Sequence, residues 1–171
     1  MKNLFGLYAL FLSLTCLGQE APQTSIYSSV IDNIQLKQTT SEEPVSMNAT
    51  LVKSSISEGE TTKLIVKTVI HNNWHIYAYV PEGGYFIQSE LKIEVPEGIT
   101  VNLIKEPKIK GYEADPNIMI YKGNLIFVYE LDGKFEAGEH PIKATLTFQP
   151  CDPYHCLAPN EISKELKLTV N

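Results

Sequence analysis

Residues 61–71 read TTKLIVKTVIH, with Leu64, Val66, Thr68 and Ile70 alternating with their neighbours. A period of two places those four side chains on one face of an extended chain, the pattern of a strand with one face against a core. Similar segments flank it on both sides. MNATLVKSSI (47–56) precedes the turn SEGE, and NNWHIYAYV (72–80) runs to PEGG. SELKIEV (89–95) ends at the turn PEG, and ITVNLIKE (99–106) follows. NLIFVYELDG (124–133) and HPIKATLTFQP (140–150) lead into a cysteine-bearing loop, and ISKELKLTV (162–170) closes the chain. Glycines at 59, 98, 123, 133 and 138 fall at the breaks, where turns need them. Long segments of period 3.6 are absent. Seven or eight short strands without crossover helices predict an all-β domain, an immunoglobulin-like antiparallel β-sandwich, with a closed barrel as the alternative. Trp74 is expected as the core aromatic between the two sheets.

The chain begins MKNLFGLYALFLSLTCLGQE, one lysine followed by an apolar run from Leu4 to Leu17 and then Gly18. That run is shorter than the roughly 20 residues a membrane span needs, and small residues at 16 and 18 suit a cleavage site. Residues 1–18 are therefore expected as a signal peptide that directs the chain to the periplasm, leaving Cys151 and Cys156 of the three cysteines. Acylation of Cys16 as a lipid anchor is the alternative, and Thr15 before it is a poor residue for that signal. Residues 19–45, rich in Ser, Thr, Gln and Glu, are expected as a flexible mature N-terminus, although SIYSSVIDNIQL (25–36) could form a strand or lie against the domain. Residues 46–171 then form one domain, large enough to fold on its own core. All 14 basic residues are lysine, and the net charge of −6 becomes −7 when Lys2 leaves with the leader. An acidic chain without arginine is poorly equipped to grip nucleic-acid phosphates, which excludes that class of partner.

Phe148 to Pro159 read FQPCDPYHCLAP, with four residues between Cys151 and Cys156. Three uses fit such a pair. As a staple it would close a loop of about six residues, worth about 2 kcal/mol against about 4.7 for a loop of about 100. As a metal site it would offer Cys151, Asp152, His155 and Cys156, but structural zinc usually draws four ligands from two separated pairs, and His71, His75 and His140 are scattered. As a redox couple it would profit from the turn favoured by Asp152-Pro153, flanked by Pro150 and Pro159, which holds the two sulfurs close enough to re-form their bond. A short, exposed disulfide is of the labile kind. His155, next to Cys156, would favour the thiolate if its ring approached the sulfur.

FQPCDPYHCLAP, preceded by WHIYAY (74–79) and IYKGNLIF (120–127), resembles the N-terminal periplasmic domain of the thiol:disulfide interchange protein DsbD, in the stand-alone form known as a disulfide bond corrector domain. The resemblance covers about Met47 to Val170. It implies an immunoglobulin-like domain with its redox pair at one end, passing electrons from a thioredoxin-like reductant to periplasmic oxidoreductases. By that resemblance Cys156 forms the intermolecular mixed disulfide and Cys151 resolves it, and the disulfide is the electron carrier, with no metal or organic cofactor. The partners implied are thioredoxin-fold proteins, docking on a domain expected to be monomeric. The chain ends at Asn171, so a membrane reductase would be a separate polypeptide.

The family also shields its cysteines with a loop that carries an aromatic residue. Here KGYEADPNIMIY (110–121) corresponds, with Tyr112 as the candidate shield and Glu113 as a neighbouring carboxylate. Tyr77 and His75 match positions where related domains set aromatic groups beside the cysteines, either able to hydrogen-bond a thiolate or supply a proton. CLAP after the second cysteine departs from the double proline common in the family. The rival expectation is a non-catalytic immunoglobulin-like binding or assembly module with a small structural disulfide, its nine tyrosines serving recognition.

Overall fold

The computed structural model describes residues 24–171. The signal peptide expected over residues 1–18, and Cys16 with it, lie outside the described residues. Helix α1 (Thr24–Asn33) comes first. Eleven strands follow among the described residues: β1 (Val45–Leu51), β2 (Ser55–Ile56), β3 (Thr62–Ile70), β4 (Ile76–Tyr79), β5 (Glu90–Glu94), β6 (Ile99–Lys105), β7 (Lys110–Tyr112), β8 (Asp115–Tyr121), β9 (Asn124–Gly133), β10 (Gly138–Phe148) and β11 (Asn160–Val170).

Two four-stranded sheets, ordered β1-β3-β9-β6 and β2-β11-β10-β5, pack face to face, and a third, β4-β8-β7, sits at one end. All the pairings are antiparallel except the short contact of β2 with β11. The architecture is an immunoglobulin-like β-sandwich. Its main core takes Leu64 and Val66 from β3, Leu125, Phe127 and Leu131 from β9, Ile142, Ala144 and Leu146 from β10 and Leu168 from β11, with Trp74 among them. Trp74 thus has the core position expected of it. The close approach of β6 to β9 depends on Gly133, whose φ is 147° and where a Cβ would lie 2.4 Å from the Gly98 carbonyl oxygen.

Where a flexible lead is expected, residues 24–33 form a helix on the outer face of the first sheet. Tyr27, Val30, Ile31 and Ile34 follow i, i+3, i+4, i+7 spacing and pack on Ile65 and Val128. That cover is why Ile65, which points away from the main core, is as fully buried as Leu64 and Val66. The Lys67 ammonium donates to the carbonyls of Ile31 (3.0 Å) and Ile34 (3.4 Å), a cation at the negative end of the helix. Lys67→Met is expected to lower stability by about 1 kcal/mol, with faster hydrogen exchange in α1 and unchanged exchange in β10 as the diagnostic measurement.

The loop expected over 110–121 is instead a hairpin. β7 and β8 pair through Lys110–Ile120 and Gly111–Met119, and β8 pairs in turn with β4. This small sheet has its own core, Tyr77, Ile118, Ile120 and Cys151, with Val80, Phe86 and Tyr112 packed against it. No helix among the described residues is long and apolar enough to cross a membrane.

Candidate functional site

Trp74, His75 and Tyr77 are delivered to the end of the sandwich by the turn 71–74, closed by the Trp74 amide donating to the His71 carbonyl at 3.0 Å. Asn73 takes the left-handed conformation in that turn (φ 68°), which asparagine tolerates better than most residues. His75 then pairs with Cys151 through both backbone hydrogen bonds, 2.8 and 3.0 Å. The first cysteine is fixed by its main chain, and its side chain is buried at 1% exposure.

The cysteine loop is a narrow hairpin. Leu157 donates to Pro150 and Asp152 to His155, each at 2.9 Å, so Cys151 and Cys156 face each other between those bonds. Residues at such a non-hydrogen-bonded position of an antiparallel pair approach more closely than at a bonded one. The Cα atoms are 4.0 Å apart, a little below the roughly 4.4–6.8 Å usual for disulfides, and the sulfurs are joined as a disulfide. The Asp152 carboxylate accepts from the Tyr154 and His155 amides at 2.8 Å each, which holds the turn behind Pro153. Those bonds, that of Tyr154 foremost, hold the Asp152 carboxyl below the usual carboxylate range. Cys151 is buried while Cys156 is exposed, so the two residues differ sharply in access.

Around the pair stand the aromatic groups. The Tyr77 hydroxyl lies 3.9 Å from the Cys156 sulfur, and because a disulfide sulfur carries no proton, the phenol is the donor. Tyr77 is otherwise buried, which raises the pKa of its phenol above the ordinary value and keeps the proton on at neutral pH. The His75 ring meets Tyr77 edge to face at 5.2 Å and Tyr112 at 5.0 Å. Burial, with Lys122 nearby and Asp152 acting weakly in the opposite sense, lowers the His75 pKa to about 4. His75 is therefore a neutral imidazole at neutral pH, and its Nε2 is buried without a hydrogen-bond partner.

Of the candidate residues, the structure brings Cys151, Cys156, Tyr77, His75 and Tyr112 together. Tyr112 covers His75 and Tyr77, with its ring 6.1 Å from that of Tyr77. Glu113 lies exposed in the β7–β8 turn, on the rim of a cleft of about 180 Å³ shared with His75, Tyr112 and Lys122. His155 turns its ring to the edge of Trp74 (5.4 Å between centroids) and its Nδ1 to Asp152 (3.1 Å). Sequence reasoning missed Phe86, which stacks on Tyr77 at 4.4 Å and 17°. The only signal for it was an aromatic pair, Tyr85-Phe86, after the Gly83-Gly84 turn. A surface cleft of about 940 Å³ around His140, Ile142 and Leu166 lies toward the Gly138 end of β10 and shares no residue with this site.

The fold and the paired cysteines define a β-sandwich with a disulfide at one end. Among solved structures, the N-terminal periplasmic domain of ScsB from Proteus mirabilis has this fold, with a TM-score of 0.50 and 18% identity over 77% of this chain. This chain spans about half, 49%, of that structure's length. The reduced DsbD N-terminal domain of Neisseria meningitidis aligns at a TM-score of 0.43 and 13% identity, over 76% of this chain and 90% of its own. The GAE domain of GGA2p from Saccharomyces cerevisiae aligns at 0.45 and 9%, over 77% and 96%. No protein-family model matches the sequence. No curated protein matches it either.

Proposed function

We propose that this chain is an exported thiol:disulfide interchange domain, cleaved after Gly18, that relays electrons through Cys151 and Cys156 between a thioredoxin-like reductant and oxidoreductases outside the cytoplasm. The observation that carries the reading is the asymmetry of the disulfide, with Cys156 an exposed residue and Cys151 buried and its main chain bonded to His75. A disulfide meant only to hold the sandwich together would join distant strands, whereas this one closes its own four-residue turn.

The exchange follows from that geometry. A partner thiolate attacks the Cys156 sulfur in line with the Cys151–Cys156 bond. That bond breaks as the new one forms, and Cys151 leaves as a thiolate. A second partner thiol then attacks the partner sulfur of the mixed disulfide. The partner leaves oxidised, this domain keeps both electrons, and the reverse sequence hands them to the next oxidoreductase. When Cys156 is the thiolate, the Tyr77 hydroxyl is placed to donate to it. The disulfide is the electron carrier, and the proposed partners are thioredoxin-fold proteins docking over Cys156.

The test is the rate at which reduced thioredoxin reduces the oxidised chain, followed by acid quenching and mass. We expect a second-order rate at least about 100-fold above that of glutathione at equal thiolate concentration, since a docked thiol gains from orientation. Equal rates would show a disulfide with no partner surface around it.

A further inference from the structure

Gln149 stands two residues before Cys151, and the exchange described above makes no use of it. Its side-chain oxygen accepts the Ile87 amide at 3.1 Å, 62 residues away in sequence, and so ties the loop between β4 and β5 to the start of the cysteine hairpin. The same loop is held from its other side by the Gln88 side chain, which accepts the Val80 amide at 3.0 Å, and by the Ser89 amide, which donates to the Tyr77 carbonyl at 2.7 Å. Its tip is a tight turn, with the Gly84 amide donating to Pro81 at 3.0 Å and Gly83 at φ 81°. Between those fixed points sits Phe86, whose ring lies flat on that of Tyr77. Nothing else in the loop touches the Tyr77 ring in this way. Tyr85 beside it is 98% exposed, so the loop spends one aromatic on packing and leaves the other in solvent.

We infer that Gln149 and Phe86 are positioning residues: Gln149 anchors the 80–89 loop so that Phe86 clamps Tyr77 with its hydroxyl on the Cys156 sulfur. The inference rests on the exchange reading for its purpose, but the coupling it describes is between side chains of this chain and needs no partner. Loop position reaches the sulfur through the Phe86 stack, which closes one face of a ring already held by His75, Tyr112, Ile118 and Ile120. If the loop is released, the phenol loses its fixed direction and the Cys156 thiolate loses a donor.

The test uses the full reduced chain and the alkylation of Cys156 by iodoacetamide as a function of pH. Gln149→Ala and Phe86→Ala are each expected to slow alkylation at pH 7 by about three- to tenfold and to move the half-maximal pH upward by about half a unit to one unit. Gln149→Glu, which keeps an acceptor oxygen for Ile87, should restore the wild-type profile. In a Tyr77→Phe background, Gln149→Ala should have no further effect, since the hydroxyl it acts through is gone. A Gln149→Ala effect of the same size with and without the Tyr77 hydroxyl would overturn the inference, as would a wild-type profile for both alanine variants. Because alkylation of Cys156, localised by peptide mass, needs no protein partner, those results are separable from a failure of thioredoxin to reduce the disulfide.

Discussion

Replacing Cys151 with serine should leave Cys156 as an exposed thiol that traps a thioredoxin-fold partner in a mixed disulfide stable to non-reducing electrophoresis. Replacing Cys156 with serine should give the opposite result, a thiol that reacts with almost nothing. Cys151 is 1% exposed, packed with Tyr77, Ile118 and Ile120, and its backbone is bonded to His75 on both sides. A reagent reaches it only when the hairpin opens, and a local opening of about 3 kcal/mol lowers the rate about 100-fold. With a bulky maleimide, Cys156 in the Cys151→Ser variant should therefore react at least about 100-fold faster than Cys151 in the Cys156→Ser variant. Comparable rates would mean that the two sulfurs are equally accessible, and the assignment of attacking and resolving roles would fail.

A second large effect is expected from acid. The His75 pKa falls from 6.5 to about 4 on folding, first because burial penalises its charge and then because Lys122 repels it. Between those values the unfolded chain binds a proton that the folded chain does not, so unfolding gains as pH falls. The contribution is fully present above about pH 6.5 and is lost as pH drops toward 4, for a total of about 3 kcal/mol. Urea denaturation of the oxidised chain at pH 7 and at pH 4.5 measures it. Other carboxylates titrate near the lower end of this window, so the comparison is with His75→Gln, whose stability should fall less over the same interval. Parallel pH profiles for the two proteins would show that His75 is solvated and free to charge. Because the imidazole is neutral at pH 7, the proton-rich group beside Cys156 is the Tyr77 phenol rather than His75.

Much of this was legible in the sequence where one periodicity dominated. The alternation in 61–71, and the runs at 124–133, 140–150 and 162–170, correspond to β3, β9, β10 and β11, which supply most of the main core. The cysteine hairpin was legible because Asp152-Pro153 favours a turn, although the spacing alone left a staple, a metal site and a redox couple open. Helix α1 was not, because Ser, Thr and β-branched residues dominate TSIYSSVIDN and make it a weak helix former. Its stripe of Tyr27, Val30, Ile31 and Ile34 was the available signal, and it becomes decisive only against the apolar outer face of β3 and β9. The β7–β8 hairpin was obscured by Gly111, Asp115 and Pro116, which locally favour a loop; pairing with β4 overrides them. Phe86 was illegible for a different reason. Its role depends on Tyr77, Gln149 and the loop meeting in space, and no local pattern encodes a contact between residues 62 positions apart.

The most direct measurement is the redox midpoint of the oxidised chain equilibrated against a glutathione series, with thiols trapped and counted by mass. An exposed cysteine in a four-residue turn predicts a midpoint among working exchange proteins, between about −120 and −270 mV. A midpoint below about −300 mV, in the range of structural disulfides, would contradict the account and leave the Cys151–Cys156 bond as a staple in a binding module.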